Sequence, residues 1–397
     1  MPPRVLFYVQ HLLGIGHIKR ASLLVRGWLD AGLDVTVVSG GEPFTQFGFE
    51  GAGLVQLPPV KARDSAFSGL VDAQGEAIDA EFKRRRVEQL LAALDSVQPQ
   101  LLVIENYPFG RRQLRWELRP LLERAQQLSS KPRIACSVRD ILQRRSPERV
   151  DETVSLIDRF FDAVLVHGDR RFIPLESSFP RCQAFANKLH YTGYVTEELP
   201  SQPLQHSSDT DEVVVSAGGG AVGFALMQTC LQALLRPELM RLLVAPSQTY
   251  RWRFLLGPNV TDQQRQQLLA LAGQVDPVIA EVVVEPVRSD FSGLLQRCLV
   301  SISQGGYNTL MDLLAAGCAA VVIPFEGSGE TEQLTRTERL AQLGYCQMVR
   351  ESELNPESLV RAIGAIIAAP QPDQLGLDCG GAERSAQILK QLVGIDE

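Results

Sequence analysis

Residues 299–324 constrain this chain more than any other stretch. An apolar run, 299–302, enters a turn containing Gln304, Gly305 and Gly306, and Asn308 and Thr309 then stand where a helix would be capped. An apolar helix with one acid, Asp312, follows, and a second apolar run over 320–323 stops at Pro324. Two short β-type runs bridged by a helix read as a parallel pair, because a parallel connection must cross the sheet and a helix is the usual crossover. The glycines let backbone N–H groups approach an anion, and the helix turns its positive end toward the same point. The stretch predicts a ligand-binding crevice.

The same alternation runs through the rest of the chain. β-type runs at 4–10, 34–39, 53–57, 101–105, 133–137, 163–167 and 190–193 are separated by helical periodicity, including a long helix over 76–94. Residues 58–75 show no period and read as a functional or mobile loop. Over 196–211 the composition changes to Pro, Ser, Gln and Asp with little to bury, the mark of an interdomain linker. Further runs near 213–216, 241–245, 282–285, 299–302 and 320–323 repeat the pattern, and helices near 356–368 and 381–393 close it. The expectation is an α/β chain of two Rossmann-like parallel-sheet domains facing a central cleft. The first covers residues 1–195 and the second 212–397.

Composition narrows the function. With 397 residues, each domain can bury its own core. A net charge of −7 gives no positive field to neutralise phosphates, so nucleic acid is not an expected partner. Seven cysteines form no C-x-x-C pair and none has a histidine at metal spacing. No signal-peptide pattern is present, and the longest apolar stretch, 315–325, is far below the roughly 20 residues of a membrane span. A cytoplasmic protein is expected, with no cofactor and no metal. Asp209 and Asp211 have the Asp-x-Asp form of a metal site but fall in the polar linker, and no G-x-S-x-G appears for serine catalysis.

Three segments carry candidate chemistry. Gly14-Ile-Gly16-His17-Ile-Lys-Arg20 lies between the first strand and its helix, and Lys19 stands where a dinucleotide fingerprint needs its third glycine. A histidine at that helix start suits a general base, and the helix amino terminus favours its neutral form. In the second segment a strand ends at Ser216 and runs into Gly218, Gly219 and Gly220, which offer bare N–H groups to a diphosphate. The third is 303–324 with the polar loop 326–333. Glu105, Ser137, Arg139, Asp140 and His167 follow predicted strands and could face the cleft on the first domain's side.

Together these segments resemble the nucleotide-sugar signature of glycosyltransferases with the two-domain B-type fold, of family 28 type, the peptidoglycan N-acetylglucosaminyltransferases and their relatives. Thr309, Asp312, Pro324 and Gln333 stand at the signature's places; Asp312 replaces the usual Glu, and Glu332 occupies the first position of a Gln pair. The resemblance implies that Asp312 and Thr309 contact the nucleoside ribose and that Val287 and Arg288 lie where the base is held by backbone. It gives Glu332 and Gln333 the sugar hydroxyls, Gly16, Ser216, Gly218 to Gly220, Gly305 and Gly306 the diphosphate, and His17 the acceptor's proton. It also implies that the last helix crosses back to the first domain. The implied reaction is metal-independent, inverting transfer of a sugar from a nucleotide sugar, with uridine the expected base, to an acceptor the sequence does not identify.

The form G-x-G-H-x-x-R is also similar to nucleotide-sugar hydrolases of pseudaminic acid synthesis, which makes hydrolysis of the same donor the alternative. A nucleotide-sugar 2-epimerase shares the fold but needs further acids and basic residues that have no clear place here. A non-catalytic nucleotide-sugar-binding or scaffold protein is the reading from another class. Phe82, Arg84 to Arg86, Phe109, Arg111, Arg112 and Trp116 are candidates for a peripheral membrane contact on the first domain, with a solvated face the competing reading. Oligomeric state is not legible.

Overall fold

The structure is a computed structural model that describes residues 2–12, 16–43, 48–64, 69–196, 212–217, 223–241, 250–257, 259–288, 290–327, 331–370 and 377–395. The chain divides into two compact units, residues 1–196 with 377–397 and residues 197–376. The linker expected at 196–211 lies outside the described residues except for Thr196.

In the first unit the strands are β1 (Arg4–Val9), β2 (Asp34–Ser39), β3 (Gly53–Gln56), β4 (Lys61–Ala62), β5 (Leu70–Val71), β6 (Leu101–Glu105), β7 (Arg133–Arg139), β8 (Ala163–His167) and β9 (Leu189–Tyr191). Its helices are α1 (Gly16–Asp30), α2 (Ala80–Val97), α3 (Arg115–Gln127) and α4 (Pro147–Phe160). Seven strands form one parallel sheet in the order β3-β2-β1-β6-β7-β8-β9. The chain winds outward from β1 in one direction and resumes on its other side at β6. The β1–β6 boundary is therefore the topological switch point, where such sheets open a crevice at their carboxyl ends.

The strands are buried on both faces, and their alternation sorts two cores. Leu6, Tyr8, Leu102, Ile104, Cys136 and Val166 pack toward α2 and α3, with Leu90, Leu94, Leu118 and Leu122. Phe7, Val9, Leu101, Val103, Ala135 and Leu165 pack toward α1, with Leu24 and Trp28.

Among the described residues of 58–75, β4 and β5 pair antiparallel, and Leu12, Val60, Ala62, Leu70, Ile78 and Phe82 form a satellite core beneath them. Too few residues lie in each strand to produce a period in the sequence.

In the second unit the strands are β10 (Glu212–Ser216), β11 (Tyr250–Leu256), β12 (Ala280–Pro286), β13 (Val300–Gln304), β14 (Ala320–Ile323) and β15 (Gln347–Met348). Its helices are α5 (Phe224–Leu234), α6 (Pro237–Met240), α7 (Asp262–Ala272), α8 (Phe291–Arg297), α9 (Tyr307–Ala316), α10 (Glu332–Gln342) and α11 (Pro356–Ala368). The sheet order is β12-β11-β10-β13-β14-β15, all parallel, so its switch point lies between β10 and β13.

The strand expected near 241–245 falls outside the described residues apart from Arg241, a turn; the neighbour of β10 is Tyr250–Leu256. Arg251 and Arg253 disguise that strand as a polar segment. In the sheet Arg251 pairs with Glu281, and Arg253 pairs with Glu212 and Glu285 on the strands to either side.

The last helix, α12 (Gly381–Leu392), belongs to the first unit and packs on α1. The second unit thus ends at Gly376 and not at residue 397. Ala386, Ile388 and Leu389 complete the core on the α1 side, and Trp28 Nε1 donates to Ser385 Oγ at 2.8 Å. Gly27 permits this contact, since a Cβ there would stand 2.7 Å from that of Ala382.

Candidate functional site

At the first switch point, β1 hands over to α1 and β6 ends in Glu105. His17, in the first turn of α1, places Nδ1 2.6 Å from Glu105 Oε1. Arg20, three residues on and so on the same helical face, donates to the same oxygen at 2.7 Å. Arg111 donates to Oε2 at 3.2 Å.

Arg111 reaches this point because the chain after β6 doubles back. Asn106 and Arg111 both take left-handed backbone, and Gly110 N–H bonds to Asn106 O at 2.6 Å. A Cβ on Gly110 would meet the Asn106 side-chain amide at 2.6 Å, so a larger residue there would have to displace that amide. Phe109 is carried into the core against Phe179 and Phe185.

Glu105 is 1% exposed and His17 20%. Burial opposes the carboxylate's charge, but His17, Arg111 and Arg20 outweigh it and hold the carboxyl well below its usual range. Burial pushes the His17 imidazole below its ordinary value; Glu105 opposes this, and Arg111 and Arg139 add to it. At neutral pH the pair is therefore an anionic carboxylate and a neutral imidazole. An ionised carboxylate only accepts, so Nδ1 carries the hydrogen and the lone pair is on Nε2. That is the protonation state of a general base.

A second polar group lies along the same row of strand ends. Ser137, the register partner of Glu105, has Oγ 2.8 Å from His167 Nε2, and His167 Nδ1 lies 2.9 Å from Thr192 Oγ1. All three are fully buried. Arg139, the register partner of His167, is half-buried at the end of β7. Asp140 is buried and turned to other work: Oδ2 accepts from Tyr194 OH at 2.7 Å, and Oδ1 from Ile141 N at 3.0 Å.

The residues suggested for a membrane patch do not share one surface. Arg86 is fully buried in a bidentate pair with Glu117 and also donates to Gly40 O and Gln10 Oε1. Phe109 is in the core, and the Arg111 side chain is 7% exposed and bound to Glu105. Arg84, Arg85 and Arg112 are exposed, while Phe82 and Trp116 are half-buried.

At the second switch point, Ser216 Oγ and Ser303 Oγ lie 3.2 Å apart and Ser303 Oγ is 2.7 Å from Ser301 Oγ, a buried row of hydroxyls. Gly218, Gly219 and Gly220 lie outside the described residues. Gly223 caps α5 with φ +109, and a Cβ there would meet Ala217 Cβ at 2.5 Å and Gln304 Oε1 at 2.9 Å. The N-cap of α9 is Gly306, so Asn308 and Thr309 fall inside its first turn and do not cap it.

Gly305 N–H is spent on Ile323 O and Gly306 N–H on Gln304 O. The first intrahelical bond of α9 is Leu310 N to Gly306 O, so the N–H groups of residues 307–309 precede the helical ladder. Asp312 and Thr309 are buried on α9. Glu332 is buried, with Oε1 3.2 Å from Arg336 Nη1, and the Arg336 guanidinium lies over the Tyr307 ring. Gln333 Oε1 accepts from Phe325 N at 3.0 Å and fixes the chain after Pro324. Val287 is exposed and its N–H bonds to Leu256 O at 2.9 Å, while Arg288 is paired with Asp290. Among the described residues no group of three His, Cys, Asp or Glu could hold a metal, and no helix is long and apolar enough to cross a membrane.

Sequence reasoning did not connect Arg111 with Glu105, nor Ser137 with His167 and Thr192. The spacing of His17 and Arg20 was a usable signal for the first cluster; the others depend on a turn and on strand register.

Residues 214–390 match the glycosyltransferase family 28 C-terminal domain. A UDP-N-acetylglucosamine--N-acetylmuramyl-(pentapeptide) pyrophosphoryl-undecaprenol N-acetylglucosamine transferase of Thermotoga neapolitana is 26% identical over 202 residues, 50% of this chain and 51% of that protein. The chain thus matches about half the length of this curated relative. The crystal structure of Acinetobacter baumannii MurG aligns over 99% of this chain and 100% of its own, with a TM-score of 0.60 at 15% identity. CalG4, the calicheamicin glycosyltransferase, aligns over 99% of both chains, with a TM-score of 0.61 at 18% identity. The chain has the two-unit fold of the B-type glycosyltransferases, and its residues 214–390 are similar to the glycosyltransferase family 28 C-terminal domain.

Proposed function

We propose that this protein transfers a sugar from a nucleoside diphosphate sugar, with uridine as the base, to an acceptor hydroxyl, by single displacement with inversion and without a metal. The observation that carries the reading is the His17–Glu105 pair at 2.6 Å. Its Nε2 lone pair takes the acceptor's proton as the oxygen attacks the anomeric carbon. The imidazolium that forms is stabilised by a carboxylate that remains ionised between Arg20 and Arg111. Single displacement at the anomeric carbon, with a base on the attacking oxygen, gives inversion.

The leaving diphosphate gains charge as the bond breaks and needs preorganised donors. The N–H groups of residues 307–309 and the amino end of α9 are suited to it, and Asp312 on the same helix is assigned to the ribose. Gly16, Ser216, Gly218 to Gly220, Gly305 and Gly306 are assigned to the diphosphate, and Val287 to the base. Gln333, tied to Phe325 N, and Glu332, tied to Arg336, are assigned to the sugar hydroxyls. Arg139, half-buried at the end of β7, is assigned to the acceptor side.

The name of the Thermotoga relative supplies the first pair to test: UDP-N-acetylglucosamine as donor and a muramyl-pyrophosphoryl-lipid as acceptor. The purified protein is incubated with a panel of nucleotide sugars, with and without that acceptor and with and without EDTA. The products are separated by chromatography and identified by mass spectrometry. Acceptor-dependent consumption of one UDP-sugar, unaffected by EDTA, is expected. Release of free sugar without acceptor would replace transfer with hydrolysis, and failure to bind any nucleotide sugar would overturn the reading.

A further inference from the structure

The buried triplet at the ends of β7, β8 and β9 has a defined direction. Thr192 Oγ1 lies 2.9 Å from Gly193 O and 3.3 Å from Val166 O, and carbonyl oxygens only accept, so the Thr192 hydroxyl spends its hydrogen on them. Its lone pair is then what faces His167, whose Nδ1 must carry the hydrogen across the 2.9 Å contact. Nε2 is left as an acceptor, and the Ser137 hydroxyl donates to it at 2.8 Å. The order is Ser137 O–H to His167 Nε2, then His167 Nδ1–H to Thr192 Oγ1.

This arrangement resembles a nucleophile and its base, but Ser137 is fully buried and cannot reach a substrate. Its importance lies in its neighbour. Ser137 and Glu105 are register partners on adjacent parallel strands, on the same face of the sheet and both buried. A hydroxyl on the neighbouring strand gains a stronger hydrogen bond by turning to a buried carboxylate than to a neutral acceptor, so a Ser137 hydroxyl released from His167 has Glu105 as its charged alternative. A carboxylate that accepts one more hydrogen bond stabilises an imidazolium less.

We propose that His167 is a positioning residue that holds the Ser137 hydroxyl hydrogen away from Glu105 and so keeps the Glu105 charge available to His17. The groups that bear on His167 fit this role. Burial holds its imidazole down to about 3, with Arg20 adding to the effect and Glu105 opposing it, so the ring stays neutral and its Nε2 stays an acceptor. Arg139 is its register partner and adds no acceptor.

The kinetic part of the test rests on the proposed transfer; the spectroscopic part does not. In the full-length protein labelled with 15N-histidine, the His17 Nδ1–H proton is followed by NMR in the wild type and in His167→Leu, His167→Gln and the double variant Ser137→Ala/His167→Leu. His167→Leu is expected to move the His17 Nδ1–H resonance upfield and to lower kcat up to about 100-fold with donor KM unchanged. The double variant should regain most of both, because no hydroxyl remains to compete. His167→Gln, which offers a carbonyl oxygen near the position of Nε2, should stay close to the wild type.

An unchanged His17 resonance in His167→Leu would overturn the inference, as would a double variant no better than the single one. If His167→Leu does not fold, the double variant compared with Ser137→Ala alone and His167→Gln decides the same question. A wild type that consumes no nucleotide sugar counts against the proposed function, while the His17 resonance still decides the role of His167.

Discussion

At the β1–β6 switch point the chain buries one carboxylate under two guanidiniums and an imidazole; at the β10–β13 switch point it places serine hydroxyls and glycines. The two sheets share strand order up to that point, so topology does not separate them. What differs is what each crevice is proposed to hold. A proton-transfer group needs charges at fixed separations, because a buried charge left unpaired is costly and a paired one is rigid. A site for a diphosphate and a ribose needs close backbone approach, and side chains beyond a hydroxyl would fill the space.

The comparison breaks most readily at His17. His17→Ala is expected to lower turnover by about 10²–10⁴-fold while nucleotide-sugar affinity, measured by calorimetry, is unchanged. Full turnover by that variant would remove the base from the first crevice.

Glu105→Gln should destabilise the first unit by about 3–5 kcal/mol, since Arg20 and Arg111 lose their shared partner in a buried place. Peptide-resolved hydrogen exchange reads this unit by unit. Equal loosening of both units would contradict the local origin of the effect.

Gly223→Ala sharpens the other side. With φ +109 and a Cβ 2.5 Å from Ala217 Cβ, the substitution is expected to cost the second unit about 1–3 kcal/mol. Chemical denaturation followed at Trp252, which lies in that unit's core, reports it.

Acid separates the units next. His17 and His167 are held below their ordinary values in the fold, so below about pH 6.5 the unfolded chain takes protons that the folded chain refuses. Their stabilisation is full above that pH and is lost as the pH falls toward the folded values, by about 1.4 kcal/mol per pH unit for a fully buried group such as His167. Glu105, also depressed, adds to the loss below its ordinary carboxyl range. Among the described residues the second unit has no histidine, so exchange corrected for intrinsic rate should show the first unit opening first. Simultaneous opening would sink the assignment.

The smallest effect is at the hydroxyl row. Ser303→Ala should cost about 1 kcal/mol, the size of one neutral hydrogen bond. A loss as large as that of Glu105→Gln would mean that the two crevices are not built on different principles.

Periodicity was enough to read two parallel α/β units, and the position of His17 after the first β-run was enough to set it at the carboxyl end of the first sheet. These signals are local: a strand and the helix after it carry their period within a dozen residues. The Tyr250–Leu256 strand was hidden because Arg251 and Arg253 are neutralised by acids on strands distant in sequence. The β4–β5 hairpin was hidden because its core is borrowed from Leu12 and Phe82.

By itself the sequence determined the fold class, the alternation of strands and helices and which residue types stand after the strands it made legible. Tertiary structure alone decided that Arg111 turns back onto Glu105, that Arg86 is an internal ion pair, that α12 belongs with α1, and that Ser137 and His167 share one row with the His17–Glu105 pair. The physical reason is register. Which side chains meet across a parallel sheet depends on how strands tens of residues apart slide into alignment, and that alignment is set by burying both faces of the sheet at once.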